Sequence, residues 1–424
     1  MSAQQYSYTP TATTNYFKLL NKFIYVCGNP NIWVEKAQLP QIFIKYHSLY
    51  NNFIIALLTF FVFFEWSTIF TQNNLTEKQT SDRLLFSLSH PIMCVFCTST
   101  ILYEDLIKDV LWQFTVVMKK LHNDEVIERQ MLKRCKFYVW AFGMSCSSAL
   151  LSYGLGGIMQ ALSGLYVFTD SGTFTTVITA WPDVNAKGWP EDIVRVVDYL
   201  LWWVFLIRIS ATYVLVISIV IVCSHQYKNL QSYFYSLANV FDRKDLAQEE
   251  KEDIYLEKVR IYLVKSKCLR YTHFCHTTCN MVISGQIAIN TSVMVLLLAQ
   301  MVNTERSLSS VLTIVTTSSA ILITTGFFMW NAGDVTVEGS NLVEAMYFSG
   351  WENCQRQAAT RIRKLLVVAM IQAKRPVVLR SFGILKLSYK SYVTVSSLGK
   401  VASENFCLNY LHPFINPKSI VICR

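Results

Sequence analysis

VVDYLLWWVFLIRISATYVLVISIVIVC, residues 196 to 223, is an apolar stretch longer than the ~20 residues a helix needs to cross a bilayer. Its only charged residues are Asp198 and Arg208. The sequence between it and the preceding apolar stretch, Phe137 to Leu165, holds just Lys187 and Arg195 as basic residues. On its other side, before Cys279 to Val302, nine lysines and arginines crowd together from Lys228 to Arg270. The same contrast repeats outward. Further apolar stretches run from Tyr50 to Phe70, Leu84 to Tyr103, Ser309 to Asn331 and Pro376 to Leu398, so seven in all are long enough to span.

Counting basic residues gap by gap converts the pattern into a topology. The N-terminal arm holds Lys18, Lys22, Lys36 and Lys45, the second gap holds seven and the sixth holds six. With the nine of the fourth gap, one side of the membrane carries twenty-six of the 38 basic residues, while the intervening gaps and the tail carry eight. Basic residues accumulate in cytoplasmic loops, so the N-terminus is predicted inside and, with seven spans, the C-terminus outside. The predicted fold class is all-α, a polytopic membrane protein.

Composition agrees. The chain is 52% hydrophobic and 16% charged with positive mean hydropathy, which sets it apart from soluble domains. Its net charge of +10 is spread over loops that flank apolar spans. The expected partner is therefore anionic inner-leaflet lipid and not nucleic acid. The apolar run Phe23 to Cys27 is too short for a signal peptide, which leaves insertion to the first span. Twelve cysteines are present, none in the three proposed outer loops; only Cys407 and Cys423, in the outer tail, are positioned to form a disulfide. Asn74-Leu75-Thr76 is a glycosylation sequon in the first outer loop. Leu106 to Leu121 and Leu246 to Val264 show helical spacing outside the spans, so the spanning helices are expected to continue beyond the bilayer. Phe168 to Pro190, rich in Thr, Gly, Trp and Pro, suits an ordered lid over the helix ends or simple interfacial anchoring.

Charges inside spans are costly and mark structure or function. Arg208 needs a partner or water, and Glu65 in the outer third of the first span is one candidate counter-ion; His90-Pro91 in the second is a candidate helix distortion. The sixth span carries Thr313, Thr316, Thr317, Ser318, Ser319, Thr324 and Thr325, so part of it is expected to face a cavity. The glycines of the third span, Gly154, Gly156, Gly157 and Gly164, read as close helix packing. His273, Cys275, His276 and Cys279 cannot surround a tetrahedral metal from one continuous helix. No phosphate loop, nucleophile elbow or carboxylate pair stands out. Neither a cofactor nor an enzymatic activity is predicted.

From the sixth span onward the chain resembles the insect odorant receptors, most of all those of moths. The resemblance rests on Phe327-Phe328, on the run Gly333, Val337, Ser340, Val343, Ala345, Tyr347 and Trp351, on the basic helix Arg356 to Lys374, and on Pro376, Phe382, Leu387, Tyr392 and Val395. Gustatory receptors share the topology, but their threonine-tyrosine ending is absent. A G-protein-coupled receptor requires the opposite orientation, and the inverted repeats of secondary transporters do not appear. The resemblance implies a subunit of a ligand-gated, non-selective cation channel of the plasma membrane of sensory dendrites, assembled with an odorant coreceptor as a heterotetramer. It implies that a small volatile ligand enters a pocket in the outer half of the helices. By position the pocket candidates are Phe86, His90, Tyr153, Gly157, Trp203, Ile207, Thr316 and Thr317. Residues 1–395, with a cytoplasmic arm 1–49, form the membrane domain. Residues 396–424 depart from the family, with Lys400 and Glu404 where it continues an apolar helix, and are expected to form an outer tail that compromises pore lining.

Overall fold

The computed structural model describes residues 8–35, 39–72, 75, 77–164, 186, 188–265, 268–303, 308–355, 357–374, 378–394 and 397. Its long helices are α1 (Ala12–Val26), α2 (Gln41–Thr71), α3 (Glu77–Leu102), α4 (Glu104–Trp112), the short α5 (Met118–Leu121), α6 (Glu125–Gly164), α7 (Trp189–Leu237), α8 (Gln248–Lys265), α9 (Cys268–Asn303), α10 (Leu308–Tyr347) and α11 (Gln357–Ala373). A two-stranded hairpin, β1 (Arg380–Ser381) and β2 (Leu385–Lys386), follows. Among the described residues, five helical segments are long and apolar enough to cross a membrane. The sequon at Asn74, most of the second outer loop and the tail from 398 onward, with Cys407 and Cys423, lie outside the described residues.

The bundle is organised around α7, which packs on α1, α2, α3, α6, α9 and α10. Pro190 opens it, with Glu191 and Asp192 in its first turn, where the missing proline N–H and the acidic charges suit the exposed amides and positive end of a helix. At 1.5 Å per residue its 49 residues reach roughly 70 Å, far beyond a ~30 Å hydrocarbon core. The 40-residue α6 and α10 likewise project past the bilayer, whereas Leu106 to Leu121 and Leu246 to Val264, expected as continuations of spanning helices, fall in the separate helices α4 to α5 and α8. By contrast α2 turns Phe53, Phe60, Phe63 and Phe70 outward, a face suited to lipid. Between α4 and α5 the chain widens into a π turn, Gln113–Val117, and the Gln226 side-chain amide from α7 donates to the Phe114 carbonyl at 2.6 Å.

The last apolar stretch differs from its prediction as one span from Pro376 to Leu398. Residues 380–386 form the hairpin, turning through Phe382 and Gly383 at φ 52° and 71°, and helix resumes only at Tyr389. Charged Arg380 and Lys386 oppose each other across the strands. The hairpin is pinned to α9, where the Phe382 amide donates to Ser284 Oγ at 2.9 Å and His276 Nε2 lies 3.0 Å from the Arg380 carbonyl oxygen. Beyond it, Tyr389 bonds Asp334 of α10, which also pairs with Arg134 of α6.

Close approach of α3 and α9 depends on Gly285. A Cβ there would sit 2.7 Å from Phe96 Cζ and 3.0 Å from Ile92 Cγ2. Gly285→Val is expected to lower thermal stability by roughly 1–3 kcal/mol, the usual cost of overpacking. Fluorescence-detected size-exclusion after a temperature ramp checks this, and an unchanged midpoint would show that the interface yields.

Candidate ligand cavity

A cavity of about 170 Å³ lies between α3, α6, α7, α9 and α10. That is comparable to the roughly 150 Å³ apolar cavity known to hold benzene. It lies on the order of ten residues, ~15 Å, from one end of the bundle: Ser89 and Trp202 that far into α3 and α7, Thr317 into α10, and Val293 before the end of α9. Aromatic rings from Phe86, Phe142, Trp202 and Tyr213 form much of its wall.

Helical phase decides which candidates reach it. On α7 the lining residues Trp202, Leu206, Ile209, Ser210 and Tyr213 follow the helical repeat. Trp203 and Ile207, each one residue and about 100° further round, face away; Ile207 is half exposed and Trp203 packs on Tyr199 and Trp202. Thr316 is displaced from the cavity in the same way, while Thr317, Ala320, Ile321 and Thr324 line it. Phe86, His90 and Thr317 therefore line the cavity, whereas Trp203, Ile207 and Thr316 do not. The side chains of Tyr153 and Gly157 lie outside the described residues.

Beside the cavity, His90 Nδ1 lies 2.8 Å from Glu65 Oε2, and both side chains are shut off from solvent. Phe86 stacks on the imidazole at 5.1 Å, with Phe61 and Phe205 at 5.6 and 5.3 Å. This revises the partner expected for Arg208. Glu65 is engaged by His90, whereas the Arg208 guanidinium, fully buried, donates from Nη2 to Asn51 Oδ1 at 2.7 Å and lies beside Cys97. Among the described residues Arg208 has no carboxylate partner. The sequence placed Glu65 in the first span and Arg208 in the fourth without fixing their relative depths, and Arg208 meets α2 at Asn51, fourteen residues before Glu65.

Missed from the sequence were Trp202, Phe142, Tyr213, Gln286 and Asn290. Two of them carried a signal: Gln286 and Asn290 are amides four residues apart within an apolar span, hence on one helical face. Gln286 Nε2 donates to Asn290 Oδ1 at 2.8 Å, and Asn290 Nδ2 donates to Thr325 Oγ1 of α10. Among the described residues, Trp202 Nε1, Tyr213 OH, Gln286 Oε1 and Thr317 Oγ1 are buried without a hydrogen-bond partner. An aromatic cavity with a few unsatisfied polar atoms can take a small, mainly apolar molecule carrying one polar group.

The sequence profile of the 7tm Odorant receptor family matches residues 93–398. No curated protein is matched. The fold is similar to that of the insect olfactory receptor OR5 from Machilis hrabei, at a TM-score of 0.74 and 13% identity over 92% of this chain and 97% of that one. The same receptor in complex with eugenol aligns at a TM-score of 0.74 and 13% identity, covering 93% of this chain and 98% of the other.

Proposed function

The chain belongs to the 7tm Odorant receptor family, and from that premise we propose that it is an odorant receptor subunit that binds small volatile ligands in the cavity beside Phe86, His90 and Thr317. With a coreceptor it forms a heterotetrameric, ligand-gated, non-selective cation channel in the plasma membrane of a sensory dendrite, N-terminus inside. The observation that carries the reading is the aromatic cavity between α3, α6, α7, α9 and α10 in a chain of this family. Anionic inner-leaflet lipid is the expected neighbour of its basic loops.

The test is current recording from cells expressing the chain alone, a coreceptor alone, or both, at matched surface density. Eugenol, bound by the Machilis hrabei receptor, belongs in the first ligand panel. Volatile-evoked cation current specific to the pair is expected. Current from this chain alone would overturn the dependence on a partner, and absence of any ligand-specific current from the surface-expressed pair would overturn the receptor reading.

A further inference from the structure

We propose that Gln286 is a specificity-determining residue that selects ligands bearing a hydroxyl donor, such as phenols and alcohols, over ethers, carbonyl compounds and hydrocarbons of the same size. The inference rests on the reading of the cavity as the ligand site.

Its basis is a hydrogen-bond chain whose direction is fixed at one end. Thr325 Oγ1 lies 2.8 Å from the Ile321 carbonyl oxygen and gives it its single proton. That hydroxyl can then only accept from Asn290, which turns the Asn290 amide nitrogen toward it and the Asn290 oxygen toward Gln286. Asn290 Oδ1 in turn takes the Gln286 Nε2 proton at 2.8 Å. Gln286 Oε1 is left over, on a cavity-lining side chain 6% exposed, with no partner among the described residues.

A carbonyl oxygen accepts and never donates, so only a ligand O–H or N–H can satisfy Oε1. The other three unsatisfied groups of the cavity, Trp202 Nε1, Tyr213 OH and Thr317 Oγ1, can all donate to an oxygen lone pair. A hydroxyl both donates and accepts and so complements both kinds. An ether, ester or ketone accepts only, and a hydrocarbon does neither. Once such a ligand displaces water, Gln286 Oε1 stays buried and unpaired, a penalty on the order of tenfold in affinity.

The full-length receptor in lipid nanodiscs, with equilibrium dialysis of 4-methylphenol, 4-methylanisole and p-xylene, supplies the test. These share a ring and differ in one substituent. Gln286→Met removes the acceptor at nearly constant volume and is expected to shrink the preference for 4-methylphenol over p-xylene about tenfold. Thr325→Val lies outside the cavity lining but frees both amides to turn over, so 4-methylanisole should gain relative to 4-methylphenol. A purely structural role would weaken all three ligands in parallel, and that result would overturn the proposal. So would a phenol preference that survives in Gln286→Met. Binding of all three probes to wild type without preference overturns Gln286 as selector and leaves the cavity as ligand site. Binding of none overturns both, while the receptor reading is judged separately by ligand-evoked current.

Discussion

His90→Phe alone is expected to lower the stability of the purified receptor by roughly 3–5 kcal/mol, the cost of leaving one partner of a buried pair uncompensated. Glu65 would then lie fully buried with no hydrogen bond to Oε2, while its Oε1 already lacks a partner among the described residues. Glu65→Leu is the milder single change, since the imidazole enclosed by Phe61, Phe86 and Phe205 loses one hydrogen bond but retains its ring contacts. The double variant, Glu65→Leu with His90→Phe, should recover most of the loss, because an apolar pair of similar volume needs no partner in this site. Thermal midpoints of the four proteins close the cycle. Departure from additivity by about 2 kcal/mol or more is expected for groups in contact, and additive losses would show that the pair is not a unit.

The helical character of the chain was legible because its spans are nearly uninterrupted apolar runs, and the residues of α7 from Val196 to Cys223 are the plainest case. That same uniformity hid the cavity. A helix apolar on every side carries no moment to say which face looks inward, so Trp203 and Ile207 could not be told from Trp202 and Leu206, one step away. Polar residues carry phase where apolar ones do not. Gln286 and Asn290 share a face, and Thr317, Thr324 and Thr325 sit on the side of α10 that meets it or lines the cavity. Pairing between spans is harder, because sequence gives no depth; hence Glu65 joins His90 and not Arg208. The hairpin at 380–386 had local signals in Arg380, Gly383 and Lys386, overridden by the mean hydropathy of the wider window.

Outside the spans, Glu128 of α6 is expected to set the response of the receptor to acid. Its Oε1 accepts from the Thr13 amide at 2.9 Å, from Thr13 Oγ1 at 2.5 Å and from Lys119 Nζ at 2.5 Å, and its Oε2 accepts from Asn123 Nδ2 at 2.8 Å. The carboxylate thus satisfies an amide of the first turn of α1, left without an intrahelical acceptor, and ties α1 to α6. Burial pushes this carboxyl upward, but the bonds from Asn123, Lys119 and Thr13 outweigh it and bring it to about 2. Because the folded value lies below the unfolded one, the stabilisation is fully present above the unfolded pKa of about 4.5 and is lost as pH falls from there toward 2. Lys119 stays protonated throughout that window and adds no slope of its own. Allowing for solvent screening, the contribution is roughly 2 kcal/mol. Glu128→Gln should therefore be less stable than wild type at neutral pH, since it leaves the buried Lys119 ammonium without its counter-charge, yet lose less on acidification. Thermal midpoints of both proteins in detergent from pH 7 to pH 2 should converge as pH falls below about 4.5, and parallel curves would place the acid sensitivity elsewhere.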